Sequence, residues 1–338
     1  KQFATIVRTE VLVLPSRVIV ALFFLVLLGL PLVSQNPYVI RVIILTSIFA
    51  ILAASWDLLS GFTGQMNFGH ALFFGMGAYT SAILNINLAI PPWGSVPLGA
   101  LAAVLTGLIV GIPCLRLKGT YLALTTMAFP IIVMGIVFAL PDLTGGELGI
   151  SGLQRISNSL VVNYYIYIVT MLVLCTVMWK ITDSHTGIIF HAIREDELAV
   201  KASGINTTRY KLMAFCLSGF FAGLSGGLYA HYMRIAGPST LEVSMSFTVV
   251  IWAVFGGLAT IYGPIAAVFV LFPFLAVVRF WPEYRTMIFA VVVLLILLYM
   301  PEGIVHWARD KMEKECPRCK IRNIATRKIC RVCTALLD

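Results

Sequence analysis

Charged side chains are scarce in this sequence. Asp, Glu, Lys and Arg together make up 12% of 338 residues, about half the share found in soluble domains. A chain this poor in charge cannot clothe a water-facing globular surface, and a soluble enzyme is excluded. Acidic residues are rarer still, 15 against 24 basic ones, and Asp57 alone lies well inside an apolar run. That removes the set of carboxylates at membrane depth that a proton relay needs, and it argues against ion-coupled transport. A Gly-x4-Gly-Lys-Ser/Thr phosphate loop is also missing, so the chain carries no means of hydrolysing ATP itself. No arrangement of His, Asp or Ser supports an intramembrane enzyme.

What fills the sequence is apolar: 59% of residues are hydrophobic and the mean hydropathy is +0.95. Apolar stretches of spanning length fall at 16–34, 38–60, 66–88, 95–115, 120–140, 162–181, 210–233, 245–261, 263–281 and 284–300. Backbone polar groups in lipid must be paired within their own segment, so runs this long are read as helices. The fold class is therefore an all-α polytopic membrane protein with about ten transmembrane or re-entrant helices. Two of them, 66–88 and 245–261, are rich in Gly and small polar residues and could be broken or re-entrant. Lys and Arg accumulate on the cytoplasmic side. With both termini inside, 19 of the 24 basic residues fall there, leaving Arg41, Arg155, Arg234, Arg279 and Arg285 outside. The first residue is Lys and not Met, which suggests an incomplete or processed N-terminus. The first apolar run is too long for a secretory signal and is read as a span.

Three segments invite chemistry. Residues 55–79, SWDLLSGFTGQMNFGHALFFGMGAY, interleave Gly, Gln65, Asn67 and His70 with aromatics. They could be hydrogen-bonded packing residues, His70 being a satisfied interior histidine, or they could line a translocation path. Residues 218–228, SGFFAGLSGGL, set small residues at three- and four-residue spacings and read as a face for close helix packing. The polar loop 182–209 holds a short amphipathic helix from about Gly187 to Ser203, stopped at Gly204. Its charges are of both signs, which suits a protein contact better than a lipid surface, although a solvated connector has a similar composition.

The tail 309–338 reads as a separate module. Cys316, Cys319, Cys330 and Cys333 form Cys-x2-Cys-x10-Cys-x2-Cys, a spacing that brings four thiolates to one structural zinc. Paired disulfides are the alternative, disfavoured on the cytoplasmic side. The tail carries nine basic and four acidic residues, so +5 of the net charge of +9 sits there. Zinc ribbons more often scaffold protein contacts, so nucleic acid is not the expected partner; anionic lipid headgroups are a further possible contact.

Several stretches together resemble the M-type permease subunits of ABC importers for branched-chain amino acids, a group that includes amide and urea importers. They are LLSGFTGQMNFGHALFFGMGAYTSAIL, LKGTYLALTTMAF, TGGELGISGL, GIIFHAIREDELAVKASGINTTRYKLMAFCLSGFFAGLSGGLYA, VFGGLATIYGPIAAVFV and MPEGI. The resemblance spans about 60–304 and implies a permease domain, 1–308, in the plasma or inner membrane. It implies that the loop docks onto a separate ATPase through Arg194, Glu195, Asp196, Glu197, Ala199, Val200 and Gly204. Leu198 stands where the family's Glu-Ala-Ala-x3-Gly pattern has Glu. Asn67 replaces a frequent Ser, and Ala259 and Ala266 replace frequent Gly. The implied partners are a second permease, two ATPases that bind ATP, an extracytoplasmic binding protein and a small polar solute. The zinc-like tail is outside the family pattern. An ATP-independent carrier or channel gated by that tail is the competing reading.

Overall fold

The computed structural model describes residues 36–278 apart from 116 and 118, together with 23, 25–31 and scattered positions between 287 and 333. Most of the expected first and last spans, 16–34 and 284–300, lie outside the described residues. Helix α1, Pro37–Trp56, starts where Pro supplies a fixed φ and the Asn36 side chain accepts from the Tyr38 N–H at 3.0 Å. It runs on through a wide π-turn, Asp57–Gly61. Helices α2 (His70–Asn87), α3 (Pro92–Cys114), α4 (Thr120–Ala139) and a single turn α5 (Pro141–Thr144) follow. Next come α6 (Leu160–Thr182), two short polar helices α7 (His185–Glu195) and α8 (Glu197–Ala202), and the long α9 (Thr207–Met233). Helices α10 (Val243–Gly256) and α11 (Tyr262–Val278) follow.

Among the described residues five helices are long and apolar enough to cross a membrane: Pro37–Gly61, Pro92–Cys114, Thr120–Ala139, Leu160–Thr182 and Thr207–Met233. The chain is an all-α polytopic membrane protein. Leu101, Leu105 and Ile109 on α3 and Tyr121 and Leu124 on α4 face outward, as lipid-facing positions do. Helices α2 and α9 are instead sheathed by α3 and α1. Small residues allow this. A Cβ on Gly226 of α9 would collide with the Phe74 carbonyl of α2, and one on Gly77 with Gly223. Ser218 and Ser225 donate to the α1 carbonyls of Ser55 and Ile48 at 2.7 and 2.8 Å. The expected packing face at 218–228 is thus the seam between α9 and its neighbours.

Three expected elements differ. The stretch 66–88 becomes helical only at His70, because Asn67 turns its side chain onto the Gly69 N–H at 2.8 Å and the chain before it is irregular. The stretch 245–261 is helical only to Gly256; at about 21 Å this helix is shorter than the roughly 30 Å hydrocarbon core. Gly257, at φ 106°, ends it. The helix expected from Gly187 to Ser203 is two helices broken at Asp196, whose carboxylate accepts from the N–H groups of Leu198 and Ala199 at 2.8 and 3.1 Å and starts α8 afresh.

Two small antiparallel pairs complete the described chain. β1 (Ile150–Ser151) pairs with β2 (Ile235–Ala236), Ile150 opposite Ala236. In the tail, β3 (Glu313–Glu315) pairs with β4 (Arg322–Ile324), Glu313 opposite Ile324.

Candidate functional site

Helices α7 and α8 lie across the end of the bundle where α1 finishes. Ile189, Ile193 and Val200 form a small apolar cluster with Ile205 and Tyr210, which seats the amphipathic pair on α9. Arg194 reaches inward: its guanidinium donates to the Gly61 carbonyl at 2.7 Å. Gly64, at φ +71°, leaves room for the Arg194 stem, which a Cβ would meet at 3.3 Å. The Phe62 ring lies 4.8 Å from His191. Burial, reinforced by the Arg194 charge, holds the His191 imidazole below its ordinary value, with Glu195 pulling the other way.

Glu197 bonds to Lys201 at 2.8 Å and to Lys211 at 2.6 Å, tying α8 to the first turns of α9. Thr207 adds a third donor at 3.3 Å. Partial burial pushes the carboxyl up, but the two lysines outweigh it and hold Glu197 at about 2. Seven residues were expected to dock a partner. Of these, Arg194, Glu195, Asp196, Ala199 and Gly204 are exposed, Val200 is buried beneath them, and Arg194 and the half-buried Glu197 make internal bonds. Leu198 between them is 69% exposed. It sits beside Ala199 and Ala202 as an outward apolar patch.

The Arg194 contact does not end at Gly61. One turn earlier Asp57, fully buried, accepts from the Ala259 and Thr260 N–H groups at 2.9 Å each. A Cβ on Gly61 would clash with the Asp57 carboxylate and stand 2.7 Å from the Ala259 nitrogen. Gly303 closes the same spot, with Gly257 2.5 Å from where its Cβ would be. The π-turn therefore joins the polar helices to the break between α10 and α11. Sequence reasoning missed this role for Asp57; its signal was its isolation as an acid within an apolar run.

Gln65, Asn67 and His70 are all buried, the first two in the irregular link after the π-turn and His70 at the start of α2. Ser55 donates to the Leu52 carbonyl at 2.7 Å, so its oxygen receives the His70 Nε2 proton at 2.8 Å and Nδ1 is left as an acceptor. That Nδ1, the Gln65 Oε1 and the Asn67 Nδ2 all lack a hydrogen-bond partner. Three orphaned polar atoms within six residues exceed what a settled core tolerates.

In the tail, the sulfurs of Cys316, Cys319 and Cys333 lie within 4.8 Å of one another, Cys316 and Cys333 at 3.4 Å. Thiolates around a tetrahedral zinc at about 2.3 Å stand roughly 3.8 Å apart, so the three fit such an ion. Cys330 lies outside the described residues. The β3–β4 pair frames the first Cys-x2-Cys turn.

A family model described as "Branched-chain amino acid transport system / permease component" matches residues 38–299. The chain is similar to the high-affinity branched-chain amino acid transport system permease protein LivM of Escherichia coli strain K12, 28% identical over 312 residues, covering 84% of this chain and 72% of the relative. LivM of Salmonella typhimurium is 28% identical over 305 residues, 82% and 72% of the two chains. The LivH permease protein of Escherichia coli strain K12 is 24% identical over 295 residues, 80% and 94%. No solved structure matches.

Proposed function

Since the chain belongs to the family of permease components of branched-chain amino acid transport systems, we propose that it is one permease subunit of an ATP-driven importer that carries branched-chain amino acids or a related small polar solute. It supplies half of the translocation path as a multi-pass protein of the plasma or inner membrane, with about ten crossings and both termini cytoplasmic. Similarity to both LivM and LivH supports pairing with a second, related permease. Two ATPase subunits and an extracytoplasmic binding protein complete the assembly, and catalysis belongs to the ATPases.

One observation carries the reading: the Arg194 guanidinium grips the Gly61 carbonyl at 2.7 Å, joining an amphipathic cytoplasmic helix to the end of a membrane span. Docked through Glu195, Leu198, Ala199 and Gly204, α7 and α8 move with the ATPases when ATP draws these together. Arg194 and Glu197 transmit the displacement to the π-turn and to α9, and Asp57 passes it to the break after α10. A rigid wedge on a broken helix supplies the two-state element for alternating access. The orphaned atoms of Gln65, Asn67 and His70 support a wet path beside α2, where water or solute would pair them.

The tail, 309–338, is assigned to a cytoplasmic module stapled by zinc on Cys316, Cys319, Cys330 and Cys333. Bound zinc supplies folding energy there and no chemistry of transport.

Uptake into proteoliposomes holding the complete complex tests the reading. Accumulation should require ATP, and Arg194→Glu should uncouple it, leaving ATP hydrolysis unresponsive to the binding protein. Uptake that persists without ATP at a fixed membrane potential would favour a carrier or channel. Arg194→Glu with full coupling would overturn the route through Gly61.

A further inference from the structure

The end of α1 remote from Arg194 is also arginine-lined. Arg41 stands twenty residues before Gly61, about 30 Å along the helix. A cavity of about 290 Å³ is lined there by Arg41, Arg155, Asn163, Tyr167, His231 and Tyr232. A second, of about 650 Å³, shares Arg41 and Tyr232 with the first and continues along Leu45, Phe49, Trp252 and Phe272. A third, of about 400 Å³, joins Arg155 to Arg234.

Among the described residues no acidic side chain lines any of the three. Among the described residues the ion pairs are those of Glu197 with its lysines, so Arg41 and Arg155 pair with no carboxylate. Arg234 is held by its Nε–H to the Leu153 carbonyl at 3.1 Å. The wall behind them is fixed: His231 is hydrogen-bonded at Nε2 to Ser81 and Ser95, at 3.0 and 2.9 Å, and at Nδ1 to the Gln154 carbonyl at 2.8 Å. Two unpaired guanidiniums on a rigid wall beside an aromatic cavity form a site with a charged end and an apolar end.

We propose that Arg41 and Arg155 form an entry site for the carboxylate of an apolar amino acid, whose side chain enters the Phe49, Trp252 and Phe272 cavity. The proposal deepens the importer reading and rests on it for the identity of the ligand. A guanidinium meets a carboxylate with two parallel hydrogen bonds, and Arg41, shared by both cavities, sets the distance between the two ends. The site selects for a free carboxylate and an apolar chain, and its two guanidinium charges repel a ligand whose only charge is an ammonium.

The test uses the full complex in nanodiscs, without nucleotide or binding protein, and follows bound radiolabelled L-leucine. Unlabelled 4-methyl-2-oxopentanoate should displace it and L-leucinamide should not. Arg41→Gln with Arg155→Gln should weaken binding roughly tenfold to a hundredfold, as loss of charge-assisted hydrogen bonds does, and unchanged thermal unfolding of the variant shows it to be folded. In proteoliposomes the same pair should raise the apparent KM for uptake while ATP hydrolysis still responds to the binding protein. Equal competition by leucinamide, displacement by oleate but not by the oxo acid, or unaltered leucine binding in the variant would overturn the site. Loss of the ATPase response with leucine binding intact would reassign the arginines to docking of the binding protein and overturn it too. A complex that imports no branched-chain amino acid refutes the importer reading separately, because the competition between leucine, oxo acid and amide is read without transport.

Discussion

Asp57 shows how much one side chain can organise. Its two oxygens each accept a backbone N–H, from Ala259 and Thr260 at 2.9 Å. Asp57→Asn keeps the volume but turns an NH2 against one of those donors. An unsatisfied buried donor costs about 1–3 kcal/mol, so the variant should unfold at lower temperature in a detergent melt and uncouple ATP hydrolysis from uptake. Ala259 beside it sits at φ 59°, where an L residue is strained by about 1–2 kcal/mol. Gly adopts that backbone freely. Ala259→Gly should raise the melting temperature, the relief exceeding the roughly 0.5–1 kcal/mol of added chain entropy. Glu197 titrates differently. Its carboxyl is held at about 2, below the ordinary 4.5. It contributes stability that is complete above about pH 4.5 and fades as the pH falls from there towards 2. Hydrogen-exchange protection of residues 197–211, taken relative to the intrinsic rate at each pH, should therefore fall on acidification in that window. At pH 7, Glu197→Gln should already exchange faster.

At the scale of elements, the packing of α9 on α2 depends on the absence of side chains. Gly226→Ala places a methyl group on the Phe74 carbonyl, so the helices must separate along a seam that also holds Ser218 and Ser225. Overpacking of this kind costs about 1–3 kcal/mol, and less folded protein should be recovered from membranes. The small-residue spacing made this face legible in the sequence, because close approach needs small side chains wherever the partner lies. The division of the polar loop into α7 and α8 was not legible. HAIREDELAVKASGI keeps an amphipathic pattern through Asp196, and helix periodicity does not register the capping bonds to Leu198 and Ala199 that stop and restart the helix. The shortness of α10 was half visible, since its Gly residues marked a possible break; the partner that completes the break, Asp57, lies some two hundred residues earlier.

For the whole molecule, the tail and the membrane body answer to different measurements. If zinc staples the tail, the purified chain should contain about one zinc. Cys319→Ser should release it, and a chelator should loosen residues 309–338 without shifting the melting of the bundle. Retention of full zinc in Cys319→Ser would sink the ribbon. The basic residues divide in the same way. Nine lie in the tail, whereas Arg41, Arg155 and Arg234 gather at the far end of the bundle around shared cavities.

The sequence by itself determined the membrane class, the helical architecture, the family and the cysteine spacing. These depend on composition, on local hydrogen bonding and on patterns that are read along the chain. Only the tertiary structure decided that Arg194 binds Gly61, that Asp57 caps the break after α10, and that Arg41 and Arg155 share a cavity. Each of these joins residues from about a hundred to two hundred positions apart. In a bundle of nearly uniform apolar helices, no periodicity says which faces meet, and so which polar groups find partners is settled by packing alone.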